Sequence, residues 1–202
     1  MSATAFLRCA SGWLLLVSVG GCSTLRGGGC DASESATVLP ALIWRTDSLL
    51  ARPRPANAAA VTELHEQLGE IIRRVQRLEV CGGLTSAQDL RTAARLALRA
   101  GMAGAPLLRE AYVWGREAVL RAPLERESWQ VMATAWDELQ ISQNHPQWFG
   151  TVIRCAARGT RPCALATLDT SRVSDAQRVE LGLRTLREQR LVADSLNRAR
   201  RR

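Results

Sequence analysis

Between residues 57 and 80 the apolar positions Val61, Leu64, Leu68, Ile71, Val75 and Leu78 step alternately by three and four, which is the spacing of one buried stripe on an α-helix. Glu70 reaches Arg74 one turn later and supports the same helix. The stripe is shorter than three heptads, so it predicts an amphipathic helix packed on its own domain, with a dimer seam as the alternative. After Cys81-Gly-Gly83, the stretch Thr85-Ser-Ala-Gln88 offers a capping box for an Ala, Leu and Arg helix that runs to Ala100 and stops at Gly101. Pro106 opens a helix over 107–120 with Leu108, Ala111, Tyr112, Gly115 and Val119 on its inner face. A further helix from about 125 to 141 carries Trp129, Met132, Trp136 and Leu139 on one side. Upstream, residues 39–50 predict a first helix starting at Pro40 and broken by Arg52-Pro-Arg-Pro55.

Consecutive helices joined by short loops predict an antiparallel layer. With Pro123 as a closing proline, Leu98, Ala111 and Ala118 fall at small or apolar positions of a 34-residue helical repeat, and Trp129 and Trp136 fall in the next unit. The register decays on both sides. The expectation is therefore degenerate tetratricopeptide-like packing and not an array.

Beyond residue 150 the period changes. Thr151, Ile153 and Cys155 alternate against Cys163, Leu165 and Thr167 about Arg158-Gly159-Thr160, which predicts a small β-hairpin over 151–167. Its register should place Ile153 and Leu165 together toward the helices and turn Arg154 away. Ser174-Asp-Ala-Gln177 is a second capping box, opening a short helix that Gly182 interrupts. A last helix from Thr185, with Leu186, Val192 and Leu196, ends in Arg198-Ala-Arg-Arg-Arg202. The fold class is mainly α: an antiparallel helical layer with a small C-terminal β-hairpin.

The N-terminus carries an address. Trp13 to Val19 form a short apolar run, and Val19-Gly20-Gly21-Cys22 resembles the bacterial lipobox, whose cysteine sulfur takes a diacylglycerol. A spanning helix needs about 20 apolar residues, more than this run supplies before its Gly pair. The expected organisation is a lipoprotein signal peptide at 1–21, a Gly-rich flexible tether at 22–38 and a helical domain at 39–202. Ser23 does not resemble the Asp that retains enteric lipoproteins at the inner membrane. In a diderm host the expected place is the outer membrane, facing the periplasm.

Charge and cysteine usage narrow the chemistry. The chain contains no lysine, which excludes a phosphate-loop lysine, a Schiff-base lysine and a Ser-Lys dyad. Removal of residues 1–21 takes only Arg8 from the charge, leaving +7 from a formal +8, which suits anionic envelope polymers or lipid headgroups. An exported chain meets little nucleic acid, so none is expected as a partner. With Cys9 in the leader and Cys22 lipidated, Cys30, Cys81, Cys155 and Cys163 remain for disulfides in an oxidising compartment. The hairpin geometry pairs Cys155 with Cys163, and Cys30 then falls to Cys81. The cysteines have no C-x-x-C spacing, so no metal is expected, and no cofactor motif is present. G-x-S-x-G and H-E-x-x-H are absent too. Of the two histidines, His65 lies beside a helical stripe and His145 opens a loop rich in polar groups.

Three blocks together resemble a known pattern. They are Trp136-Asp137-Glu-Leu139, then Pro146-Gln147-Trp-Phe149-Gly150-Thr151, then Val173-Ser-Asp175-Ala-Gln-Arg178-Val-Glu-Leu-Gly182-Leu183. Over roughly residues 84–188 the chain resembles an uncharacterised bacterial domain-of-unknown-function family with a Pro-Gln-x-Phe/Tyr-Gly-Thr loop. Val152 departs from its pattern, where a second Gln is usual, as does His145, where a Gly is usual. The resemblance implies a mainly helical domain and assigns no reaction. Carried over position by position, it implies a candidate ligand site of Asp137, Gln147, Gly150, Thr151, Asp175 and Arg178, to which the residues themselves add His145. The structural alternative has Asp137 pairing with Arg178 or capping the loop, and Gln147 satisfying backbone groups. The functional expectation is a lipid-anchored, non-enzymatic binding or scaffolding module with an envelope protein or anionic envelope polymer as partner. The alternative is a small hydrolase or lyase using Asp137, His145 and Gln147.

Overall fold

The computed structural model describes residues 32–52, 55, 57–102, 107–156 and 162–201. Among them are seven helices: α1 (Ala32–Leu50), α2 (Ala58–Val80), α3 (Ala87–Met102), α4 (Leu108–Arg121), α5 (Arg126–Ser142), α6 (Asp175–Glu180) and α7 (Leu186–Arg200). Two short antiparallel strands, β1 (Ile153–Arg154) and β2 (Ala164–Leu165), lie between α5 and α6. The helices pack antiparallel, α3 against α4 and α4 against α5 most extensively.

The α2 stripe turns inward, with Leu68, Ile71, Val75 and Leu78 buried along with Ile72. Its seam is used within the domain, against α1 and α3, while Val61 at its start is partly exposed. Asn57 caps it by accepting the Ala60 amide at 2.9 Å.

Helix α1 corrects the expected boundary between tether and domain. It begins at Ala32, and Pro40 lies inside it and not at its start. The reason is packing: Ser35, Leu39, Leu42, Thr46 and Leu49 step by three and four along one buried face. That face extends a full turn before Pro40, whose exposed ring costs the helix one amide hydrogen bond. Residues 22–31 of the expected tether lie outside the described residues.

Two further boundaries move for local reasons. The α3 cap is Ser86 with Asp89, one residue later than Thr85 with Gln88: the Ser86 amide donates to Asp89 Oδ2, and the Asp89 amide donates back to Ser86 Oγ. Gly101 continues α3 instead of ending it, because a Cβ there would stand 2.6 Å from Leu108 Cδ2. Its service is close approach. Gly115 does the same between α4 and α5, where a Cβ would meet Met132 Cα at 3.0 Å. Trp114 beside it is 2% exposed and is the bulkiest fully buried side chain, although the spacing singled out Tyr112 instead.

Helix α5 is covered on several sides. Val131, Met132, Ala133 and Ala135 are buried, and so are Ser128, Asp137, Glu138 and Gln140, while Trp129, Trp136 and Leu139 are only partly buried. Helices α3 and α4 pack on it, Glu127 pairs with Arg91 and Arg95 of α3, and Asp137 and Glu138 hold the loop and strand that follow it.

The hairpin register is as expected, with Ile153 opposite Leu165 and Arg154 opposite Ala164. Cys155 and Cys163 are disulfide-bonded, a closure that loop entropy values at about 2–3 kcal/mol. The turn at Arg158-Gly159-Thr160 lies outside the described residues. Arg154 does not simply point away, because its guanidinium forms a two-pronged pair with Glu138 of α5, a carboxylate only 3% exposed. Asn197 of α7 accepts the Cys163 amide at 2.6 Å and donates to its carbonyl at 3.0 Å, and Arg200 donates to the Ala156 carbonyl at 2.8 Å. One arginine of the terminal basic cluster is thus part of the hairpin clamp.

Ser174 and Thr185 head α6 and α7 with complete capping boxes. The Thr185 amide and hydroxyl hold the Glu188 carboxyl below the ordinary glutamate range. Its support of α7 is present above that range and is lost as the pH falls through the lowered value. Cys81 is disulfide-bonded; its expected partner Cys30 lies outside the described residues.

Candidate functional site

Helix α5 ends at Ser142, and Asn144 at φ 60° turns the chain back, with the His145 amide closing onto the Gln140 carbonyl at 2.9 Å. The loop 146–151 therefore folds over the last turns of its own helix and lies against Asp137. Asp137 is 0% exposed, and its carboxylate collects four hydrogen bonds from the loop. Oδ1 accepts the Trp148 and Phe149 amides at 2.8 and 2.9 Å. Oδ2 accepts the Thr151 amide and hydroxyl at 2.9 and 2.8 Å. Burial pushes this carboxyl above the ordinary aspartate range, and the Thr151, Phe149 and Trp148 donors pull it back down.

Arg178, on α6, grips the other side of the same loop. It is 1% exposed and donates to the Phe149 carbonyl at 2.8 Å, the Trp148 carbonyl at 3.2 Å and the Val173 carbonyl at 2.7 Å. Asp175 Oδ1 takes one more bond from it at 3.3 Å and accepts the Leu186 amide at 2.9 Å, so Asp175 ties the start of α7 to α6. Asp137 and Arg178 do not pair with each other. One takes the loop's amide hydrogens and the other takes its carbonyls.

Gln147 forms the third hold. It is 0% exposed; Nε2 donates to the Val152 and Ala166 carbonyls at 3.2 and 2.9 Å, and Oε1 accepts the Val152 amide at 2.9 Å. Its backbone bridges in parallel to Leu168, donating to Thr167 and accepting from Asp169. Gln147 thus ties loop, hairpin and the strand's exit together. Gly150 sits at φ 68°, where an L side chain is strained, and a Cβ would stand 2.7 Å from Leu186 Cδ2. Val152, just after the loop, buries its apolar side chain.

Six of the seven candidate residues therefore meet in one network, and the seventh does not: His145 is exposed at the loop entrance. Cys22 and Cys30 lie outside the described residues. Sequence reasoning missed an aromatic column over the loop, in which Tyr112 packs at 4.9 Å from Trp136 and Trp136 at 4.8 Å from Trp148, with the Arg172 guanidinium 5.0 Å above Trp148. The only signal for it was aromatic residues on successive helices. It also missed a cleft of about 360 Å³ beside Thr151, lined by Gln130, Thr134, Ile153, Leu183, Arg184 and Gln189 among others. Gln130 and Gln189 already donate there, to the Gly182 and Thr151 carbonyls.

Among the described residues, no group of three or more His, Cys, Asp or Glu side chains is placed to hold a metal ion. No described helix is long and apolar enough to cross a membrane. No protein-family model, curated protein or solved structure matches the chain.

Proposed function

We propose that this chain is a lipid-anchored envelope protein acting as a non-enzymatic binding or scaffolding module. The observation that carries the non-enzymatic part is the saturation of Asp137. Four donors occupy a carboxylate with about four lone-pair sites, and no part of it reaches solvent. A general acid or base must exchange a proton with substrate, and Asp137 could do so only by releasing the loop. Gln147 and Arg178 are committed in the same way. The pattern over residues 84–188 that resembles an uncharacterised family coincides with this network, which supports reading it as the framework of a fold. Its outer surfaces, basic overall, are then free to meet an envelope protein or anionic polymer.

The anchoring part rests on Val19-Gly20-Gly21-Cys22. Intact-mass measurement on membrane-extracted protein is expected to show a diacylglycerol-bearing Cys22, and Cys22→Ser is expected to lose that mass and release soluble protein. An unchanged membrane fraction in Cys22→Ser would refute anchoring through this residue.

Gln147→Ala separates the clasp from a ligand site. It removes three buried hydrogen bonds and leaves the Val152 amide and Ala166 carbonyl short of a partner. The expected cost is about 2–3 kcal/mol, or a fall in Tm on the order of 5–10 °C. Unchanged melting would instead favour a site whose Gln is held ready for a ligand.

A further inference from the structure

Helix α1 has an outer face that no other described residue covers. Its buried stripe accounts for Ser35, Leu39, Leu42, Thr46 and Leu49. Opposite it lie Thr37, Pro40, Ala41, Trp44 and, just past the helix end, Ala51, all exposed and all uncharged. Trp44 is 72% exposed, the most exposed tryptophan among the described residues. Arg45 and, at the start of the helix, Glu34 border this stripe on one side, and Asp47 on the other is already paired with Arg99 of α3. Surface helices ordinarily turn charge toward water. This one presents an indole amid small neutral residues.

We infer that this face is a second membrane contact, docking in the headgroup layer of the bilayer that holds the anchor. The inference rests on the anchoring through Cys22 proposed above. Chain length supports it first. The early start of α1 leaves ten residue steps between Cys22 and Ala32, a reach of at most about 35 Å when fully extended. Helix α1 is itself about 28 Å long, so all of its outer face lies within reach of the surface. The side chain supports it next, because tryptophan is the residue that gains most where one edge is apolar and the other wet, as at a bilayer interface. Arg45 and Arg52 beside the stripe, on a chain of net charge +7 after the leader, complement anionic headgroups. A protein interface fits less well. One large side chain among Thr, Pro and Ala supplies far less than the roughly 800 Å² per partner of a standard interface. Docking through α1 would fix the orientation of the domain and turn α5, the loop and the hairpin toward the periplasmic space.

The test uses acylated full-length protein, processed in a lipoprotein-producing host and reconstituted into phosphatidylethanolamine and phosphatidylglycerol vesicles carrying brominated acyl chains. Tryptophan emission is expected to be quenched, and Trp44→Phe is expected to remove most of that quenching while leaving the protein vesicle-bound and its melting unchanged. Acylated protein that sediments with vesicles but shows no quenching, or the same quenching in Trp44→Phe, would overturn the contact and leave the anchor standing. Dimers in detergent that dissociate in Trp44→Phe would overturn it in favour of a second copy. Absence of acyl mass would remove the anchoring reading and this inference with it, and intact mass reports that arm by itself.

Discussion

Asp137→Ala is expected to cost about 3–5 kcal/mol of folding stability, because it strips a buried acceptor from four donors at once. The Trp148, Phe149 and Thr151 amides lose the carboxylate that holds them, and the loop 146–151 loses its attachment to α5. That is a large share of the roughly 5–15 kcal/mol that stabilises a typical domain. Urea denaturation followed by circular dichroism reads the loss directly. Asp137→Asn keeps the shape but presents an NH₂ to one side of the donor set, so its expected cost is smaller, about 1–3 kcal/mol. A cost below about 1 kcal/mol for the alanine variant would mean that the loop is not held from α5.

The pH dependence of this position has a definite sign. Burial raises the Asp137 carboxyl above its ordinary range, so the folded state favours its proton more than the unfolded chain does. A group shifted this way contributes most in acid, below the ordinary aspartate range, and contributes less as the pH climbs through its raised value. The stability gap between the native protein and Asp137→Asn should therefore narrow from mild acid toward neutrality. Glu188, whose carboxyl is lowered by Thr185, works in the opposite direction. A gap that widens toward neutrality would show that the four donors outweigh burial.

Helices α2 to α5 are legible in the sequence because each carries its own apolar stripe, and α6 and α7 because each carries its own cap. Ser174 with Gln177 is a local signal for a local structure, and the α2 stripe states its inner face without help from the rest of the chain. The start of α1 is less legible, since its first buried position is Ser35, a polar residue, and Thr46 puts another inside the same apolar stripe. Their burial depends on what packs against them. Trp114 is hidden for a similar reason, because the stripe through Leu108, Tyr112 and Gly115 runs beside it on the same helix. The hairpin register is legible from the symmetry of two cysteines, but the pairing of Arg154 with Glu138 is not, as nothing in local spacing links a strand to a helix 16 residues earlier.

The candidate site divides along the same line. The resemblance groups Asp137, Gln147, Gly150, Thr151, Asp175 and Arg178 as one candidate site, and in the structure they come together around the loop. What they bind is not legible, because their partners are backbone amides and carbonyls, which every residue owns and no sequence pattern distinguishes. A buried carboxylate capping a loop and one poised to hold a ligand look alike until the donors are counted.

Arg178→Met is expected to cost about as much as the loss of Asp137, roughly 3–5 kcal/mol, since it leaves the Trp148, Phe149 and Val173 carbonyls without their donor in a buried place. Methionine fills much of the arginine volume, which keeps the loss one of hydrogen bonds and not of packing. Lysine should recover less than half, because its ammonium lacks the planar fork that reaches several carbonyls from one side. The sharper test is the pairing of mild variants. Asp137 and Arg178 never touch, yet they hold opposite edges of residues 148 and 149, so releasing one edge should make the other hold less valuable. Asp137→Asn with Arg178→Lys should together cost less than the sum of the two alone, by about 1–2 kcal/mol. Strict additivity would mean that each residue stabilises its own surroundings and that the loop is not one clasped unit. Coupling of that size would mean that the loop is held or released as a whole, with the aromatic column over Trp148 and the attachment of α6 going with it.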